Sequence, residues 1–522
     1  MLDYSTGKIS FILIVAVLLA CVGSAWLAHR YRAEMRRLMS APLGASPEVA
    51  AQPASKPSLA DAGPLVQPVT YADNRRAGWR VVGLLAALSL LISLSTSTLF
   101  LTLSMGEGAL TPARLALFAL IHLWPMIPAL GLLWRWSRWR IVGTLAIWCV
   151  FCFGVMLWRS IEPRPLLLLQ FLAIDIGPPL LLVALLCLGN TTRAIALWLL
   201  VPTIVLVWAS IAGVDLLWWI FAHRPAWLEA LPAWIGAEAV MITFALLPWL
   251  AAWWPLRRIG RALGRAYAHK RLCELLVLFT AVWAITLVYQ ALGAASDLGA
   301  GGVVMLLPLA WIPIGAAVFR RIVPRPQAAP TLLVLRVFQH DAQVQHLYDH
   351  VVERWRLSGN TVLIAGTDLI GRTTDGDDIF TFLDGGLSKR FIQRPADVGP
   401  RLAAFDLEPD ADTRFRVNEC YCHDTTWQDA LRALVERADV ALMDLRGFRA
   451  RNAGCRFELA TLARSVRIGR VVVLTDAQTD RAVAEIDVQD APAGRIRWID
   501  ASRIDARKQR ETLAALFPAP TN

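Results

Sequence analysis

The chain has 522 residues, 56% of them hydrophobic, with 22 Trp and a formal net charge of +11. A composition so apolar excludes an ordinary soluble globular protein. The charge is unevenly placed: residues 330–522 hold 26 Lys+Arg and 28 Asp+Glu, whereas residues 1–329 hold 26 and 13. The positive balance therefore belongs to the apolar part, and no nucleic-acid partner is expected.

Taking about 20 apolar residues per span, nine spans are predicted, at 9–28, 81–103, 115–134, 141–158, 165–189, 195–222, 233–255, 272–294 and 303–319. The first differs from a cleaved secretory signal because its basic flank (Arg30, Arg32, Arg36, Arg37) follows the apolar run. It reads as an anchor over 1–40, joined by a Pro/Ala-rich linker (41–78) to an eight-helix domain (79–322). With the N-terminus outside, 21 Lys/Arg fall in inside loops and five outside, the positive-inside pattern of a bacterial-type inner (plasma) membrane protein. The lipid bilayer is the expected partner, and the C-terminal domain is expected in the cytoplasm. The basic stretch 257–271 reads as a positive-inside anchor beside that bilayer.

Ionisable groups in hydrocarbon are costly and mark pathways or relays. Asp175, before Gly177-Pro178-Pro179, and Glu238, in the seventh predicted span, are the intramembrane acids of interest. Asp215 and Glu274 fall nearer span ends, and no paired basic residue accompanies these acids within the spans.

Beyond residue 330 the hydrophobic period shortens. Strand-like runs occur at Leu332–Phe338, Val362–Ala365, Phe415–Cys420, Val440–Met443, Val471–Leu474 and Ile496–Ile499, with amphipathic helices between most of them. This alternation predicts an α/β domain over 330–522 with a parallel, flavodoxin-like sheet. About 45 residues after Ala365 read as an insertion.

Three candidate sites arise in this domain. Gly366 to Thr373 resembles a phosphate-binding loop, but Arg372 replaces its lysine and an acidic run follows, so it reads as a surface loop. Cys420, Cys422, His423 and Cys455 lack a second ligand pair, so no metal site is expected and buried thiols are the reading. The third is Glu458, on a helix whose apolar face is expected to bury Cys455, Leu459, Leu462 and Val466. No basic residue lies three or four positions away, so a local helix salt bridge does not account for it. Partial burial would raise its pKa and suit acid/base or nucleophilic work; a solvated helix acid is the competing reading.

The segment AGCRFELATL (453–462), preceded by ADVALMDL, resembles the third helix and preceding strand of TIR domains. Cys455 and Glu458-Leu459 match that pattern; Gly454 stands where it has Trp, and Asp444 or Arg446 where it has a loop Ser. The stretch is also similar to nucleoside 2-deoxyribosyltransferases. In both families this glutamate acts on an N-glycosidic bond. The resemblance implies Glu458 as the catalytic group, with Asp444, Arg446 and Asn452 near the sugar and Thr367 and Asp368 as further substrate contacts. NAD or a related nucleotide is then a substrate, no cofactor is needed, and self-association is expected. The alternatives are a non-catalytic self-associating module coupled to a membrane sensor, and a proton-coupled carrier using Asp175 and Glu238.

Overall fold

The computed structural model describes residues 6–40, 69–106, 108–160, 164–187, 189–223, 234, 236–322, 329–336, 347–365, 376–423, 425–503 and 505–518. The chain divides into two compact units. The first is built from apolar helices: α1 (Thr6–Ser40), α2 (Tyr71–Leu103), α3 (Pro112–Ile121), α4 (Met126–Leu133), α5 (Arg138–Arg159), α6 (Pro165–Asp175), α7 (Gly177–Leu186), α8 (Asn190–Ala222), α9 (Ala237–Ala268), α10 (Glu274–Leu298) and α11 (Trp311–Ile322). Among the described residues, seven helical segments are long and apolar enough to cross a membrane, the last being Gly299–Phe319. The α3/α4 and α6/α7 pairs, bent by 45° and 47°, fall on the other two expected spans. This is a multi-pass membrane protein.

The bends have local causes. Pro125 stands immediately before α4, and Pro178 and Pro179 open α7, where a proline without an N–H is tolerated. Elsewhere the helices approach closely: a side chain at Gly213 of α8 would collide with the Phe244 carbonyl of α9. Small residues permit such contacts where no hydrophobic effect drives association. Two of the acids meet cations from distant parts of the chain: Lys8 lies 2.7 Å from Asp215, and Arg135 lies 3.8 Å from Glu274. Glu238 is the second residue of α9 and of the candidate span Ala237–Ala268, an exposed residue in the first turn of the helix. There the positive end of the helix dipole favours a carboxylate.

The second unit is organised by one seven-stranded, all-parallel sheet of order β3-β4-β2-β1-β5-β6-β7. Its strands are β1 (Thr331–Arg336), β2 (Asn360–Ala365), β3 (Phe391–Ile392), β4 (Val417–Cys422), β5 (Val440–Asp444), β6 (Arg470–Thr475) and β7 (Ile496–Asp500). Without β3 and β4 the order is β2-β1-β5-β6-β7, the doubly wound flavodoxin-like sequence of strands. The insertion is thus larger than expected, since β4 as well as β3 extends the sheet beyond β2. Within it Arg414 pairs with Asp412 at 2.8 Å and Arg416 with Asp410 at 2.7 Å, and Arg414 reaches Glu353, before β2, at 3.9 Å. Arg356 Nε donates to the Phe415 carbonyl at 2.6 Å.

Parallel strands alternate between two covered faces. Leu333, Leu335, Ala441, Met443, Val471 and Val473 pack beneath α14 (Trp427–Val435), α15 (Ala453–Arg464) and α16 (Arg481–Asp487). These follow α12 (Gly376–Leu383) and α13 (Val398–Ala403) in the chain. The opposite face buries Leu332, Val334, Leu442 and Val472 against Trp355, Leu516 and Phe517, which ends the segment led by α17 (Ala506–Ala515). Tyr31 and Met35, on the C-terminal part of α1, are 1% and 0% exposed within this same cluster. Asn74, in the first turns of α2, donates to the Arg354 carbonyl and the Ser358 hydroxyl, both at 2.8 Å. The α/β unit therefore includes polypeptide that precedes residue 330. Truncating Met35 to Ala is expected to destabilise it by about 2–5 kcal/mol, read as earlier thermal unfolding of the full-length protein in detergent; an unchanged midpoint would show that this side chain is not part of the core.

Candidate active site

In a doubly wound sheet the crevice lies at the carboxyl ends of the strands, where the strand order reverses. Here that point falls between β1 and β5, whose last residues, Arg336 and Asp444, are register partners. Both are buried, at 5% and 3% exposure. Asp444 is held by Arg446: Nη2 lies 2.6 Å from Oδ2, Nε donates to Oδ1 at 2.8 Å, and the Arg446 N–H reaches Oδ1 at 3.2 Å. The two expected substrate contacts thus bind each other in a bidentate pair.

The loop from β5 to α15 is closed by Asp476, just beyond β6. Its carboxylate accepts from the N–H of Gly447 at 3.0 Å, with Gly447 at φ 72°, and from Thr479 Oγ1 at 2.9 Å. Burial opposes ionisation of Asp476, but the hydrogen bonds from Gly447, Thr479 and Gln478 outweigh it and hold the carboxyl below its usual value. Asn452 stands at the N-cap position of α15, where its Oδ1 accepts from the Arg449 N–H at 2.8 Å.

Glu458 lies in the second turn of α15 and is 4% exposed, deeper than the margin its spacing predicts. Its Oε2 has no hydrogen-bond partner among the described residues. Burial pushes its pKa up to about 8, only partly offset by the Arg336 guanidinium. Cys455, one turn earlier, is pushed up to about 12 by burial and then by Glu458. Cys420 is buried in the core and likewise pushed up to about 12, chiefly by desolvation. The other expected helix contact fails: α15 ends at Arg464, and Val466 is 97% exposed. Gly454, where the TIR pattern has Trp, faces Trp427 of α14, which stands 3.9 Å from where its Cβ would be. Trp427 also packs edge-on against Phe457 at 5.5 Å.

Thr367 and Asp368, and the whole Gly366–Thr373 loop, lie outside the described residues. Of the expected site residues the fold brings Asp444, Arg446, Asn452 and Glu458 to one end of the sheet. Spacing missed Arg336 and Asp476. Their available signal was position alone: each stands at or just beyond the end of an apolar strand run.

The fold defines a multi-pass membrane protein carrying a doubly wound α/β unit with a buried carboxyl near its switch point, one oxygen of which has no hydrogen-bond partner among the described residues. No known family, characterised protein or solved structure matches the chain.

A carboxyl that is neutral when folded and ionised when unfolded makes stability depend on pH. Because the folded value is raised from 4.5 to about 8, Glu458 contributes least harm below pH 4.5, and stability falls as pH rises through about 8. Glu458→Gln should remove that fall and stabilise the protein at alkaline pH, by about 5 kcal/mol at most. Unfolding midpoints of both proteins across this range check it; parallel curves would mean that Glu458 is ionised in the folded state. Separately, Asp476→Ala should free the Gly447 N–H and loosen the β5–α15 loop, at a cost of about 1–3 kcal/mol, seen as faster amide exchange there.

Proposed function

We propose that the α/β unit cleaves the N-glycosidic bond of NAD or a related nucleotide in signalling or defence, with Glu458 as the catalytic group. The supporting observation is the buried Glu458 carboxyl, whose Oε2 lacks a partner beside the switch point where α/β sheets bind ligands. The TIR-like pattern of Cys455 and Glu458-Leu459 supports the same assignment. The positive-inside bias supports a cytoplasmic position at the inner membrane, where nucleotides are available.

The chemistry follows from charge. In NAD the nicotinamide ring is cationic where it joins the ribose. Brought beside Glu458, that cation favours ionisation of the carboxyl, which then stands as a carboxylate against the sugar. The bond from ribose C1 to the ring nitrogen breaks, and its electron pair returns to the ring and neutralises it. The oxocarbenium-like sugar left behind is stabilised or captured by the carboxylate, as in glycoside hydrolysis. Water then adds at C1, and its proton leaves with the product or passes to Glu458. Arg336 partly offsets the burial of the carboxylate in this role. Asp444, held by Arg446, would orient a ribose hydroxyl without itself supplying the catalytic charge.

The test uses full-length protein in detergent or lipid, because Tyr31 and Met35 belong to the core of this unit. Nicotinamide release from NAD is expected, and Glu458→Gln should reduce it by about 10²–10⁴-fold while leaving the fold intact. Equal rates in the two proteins, or no turnover of NAD or any other nucleotide by clustered wild-type protein, would reject this reading.

A further inference from the structure

Four polar groups inside the membrane unit form a connected chain at the two bends. Asp175 is the last residue of α6, and His122 caps the C-terminal end of α3. Helix α2 brings Ser97 and α10 brings Gln290 to the same place. Ser97 Oγ lies 3.2 Å from His122 Nδ1, and Gln290 Nε2 donates to Asp175 Oδ1 at 2.6 Å. His122 Nε2 stands 3.3 Å from Asp175 Oδ2, within ion-pair distance but outside hydrogen-bond geometry. Ser97 and Gln290 are buried, and the side chains of His122 and Asp175 are 2% and 11% exposed. The pair spans 53 residues of sequence, so no spacing rule connects it.

Only His122 and Asp175 in this chain can gain or lose charge. With the imidazole neutral and the carboxylate ionised, the site carries an uncompensated negative charge in a low-dielectric interior, a costly state. One proton on either group makes the pair neutral overall, whether imidazolium with carboxylate or imidazole with carboxylic acid. A second proton would leave a buried positive charge. The site is therefore suited to hold one proton.

Neighbouring charges do not alter that balance by direct contact. Among the described side chains, α10 carries Glu274, paired with Arg135 after α4. Helix α5, packed on α3, α4 and α6, carries Arg138 and Arg140, which lie over the rings of Trp139 and Trp136, and Arg159 in its last turn. Helix α3 carries Arg114 in its first turn, and α2 carries Asp73, Arg75, Arg76 and Arg80 near its start. None of them bonds to His122 or Asp175; the imidazole is bordered instead by the rings of Phe100 and Phe118, at 6.3 and 6.4 Å.

Bent spans leave backbone carbonyls without helical partners and are the form in which membrane proteins build ion sites. We propose that Ser97, His122, Asp175 and Gln290 form a proton-binding site, with one exchangeable proton held on the His122–Asp175 pair and released to water when either bent span opens. This site is independent of the nucleotide chemistry assigned to the α/β unit.

The test is a pH titration of full-length protein in lipid nanodiscs, followed by infrared difference spectroscopy with ring-labelled histidine. A Glu458→Gln background removes the buried carboxyl of the α/β unit that is pushed up to about 8, and the band that remains is assigned by its loss in Asp175→Asn. The expected result is a joint change of imidazole and carboxyl bands at one midpoint between about pH 5 and 9. Asp175→Asn should abolish the carboxyl change, and His122→Gln should displace the midpoint by about one pH unit or more. Silence of the native pair across that range would overturn the proposal and leave a fixed structural contact. That outcome is read on unaltered His122 and Asp175, so it does not depend on any variant of the pair folding. A carboxyl change that persists in Asp175→Asn would overturn it as well.

Discussion

A parallel sheet has no face that water can occupy, because its crossover connections and apolar strands demand cover on both sides. In this chain one face is covered conventionally, by α14, α15 and α16. The other is completed by side chains from far earlier in the sequence, Tyr31 and Met35, together with Trp355 and the residues after α17. That constraint decides what counts as the α/β domain. A boundary drawn at residue 330 follows the change of hydrophobic period but cuts through a core. The same helix that supplies Tyr31 and Met35 is, over its first part, among the most apolar in the chain.

Covering both faces also fixes the character of the site. The helix that buries Cys455, Leu459 and Leu462 against the sheet carries Glu458 down with it, and nothing described around the carboxyl satisfies its second oxygen. Its neighbours behave differently. Asp444 and Arg446 neutralise each other, and Asp476 spends its hydrogen bonds on shaping the loop. The result is a cluster in which one acid remains protonated near neutrality while nearby acids are occupied. An arrangement that separates the states of neighbouring carboxyl groups supports the acid/base or nucleophilic role proposed for Glu458.

Much of this was legible in the sequence where the signal was local. The spans follow from apolar runs, the flavodoxin-like core from strand and helix periods, and the interest of Glu458 from the absence of any cation three or four residues away. What escaped was decided by long-range contacts. His122 meets Asp175 only because two bent spans converge, and Lys8 meets Asp215 across 207 positions. Arg336 becomes relevant only once β1 and β5 are neighbours. Strand β3 is two residues long, too short to leave a period, and Val466 was assigned to a helix that ends before it. Trp427 shows the same limit from the other side, since it borders the position where the TIR pattern has an aromatic residue but comes from a different helix.

The protonation state of Glu458 decides what this site can do. The most direct measurement is the infrared difference between wild-type and Glu458→Gln full-length protein, titrated with and without NAD. The expected result is a buried protonated carboxyl with a midpoint near 8 that ionises when NAD binds. A carboxyl already ionised at pH 6, or one indifferent to the nucleotide, would contradict it.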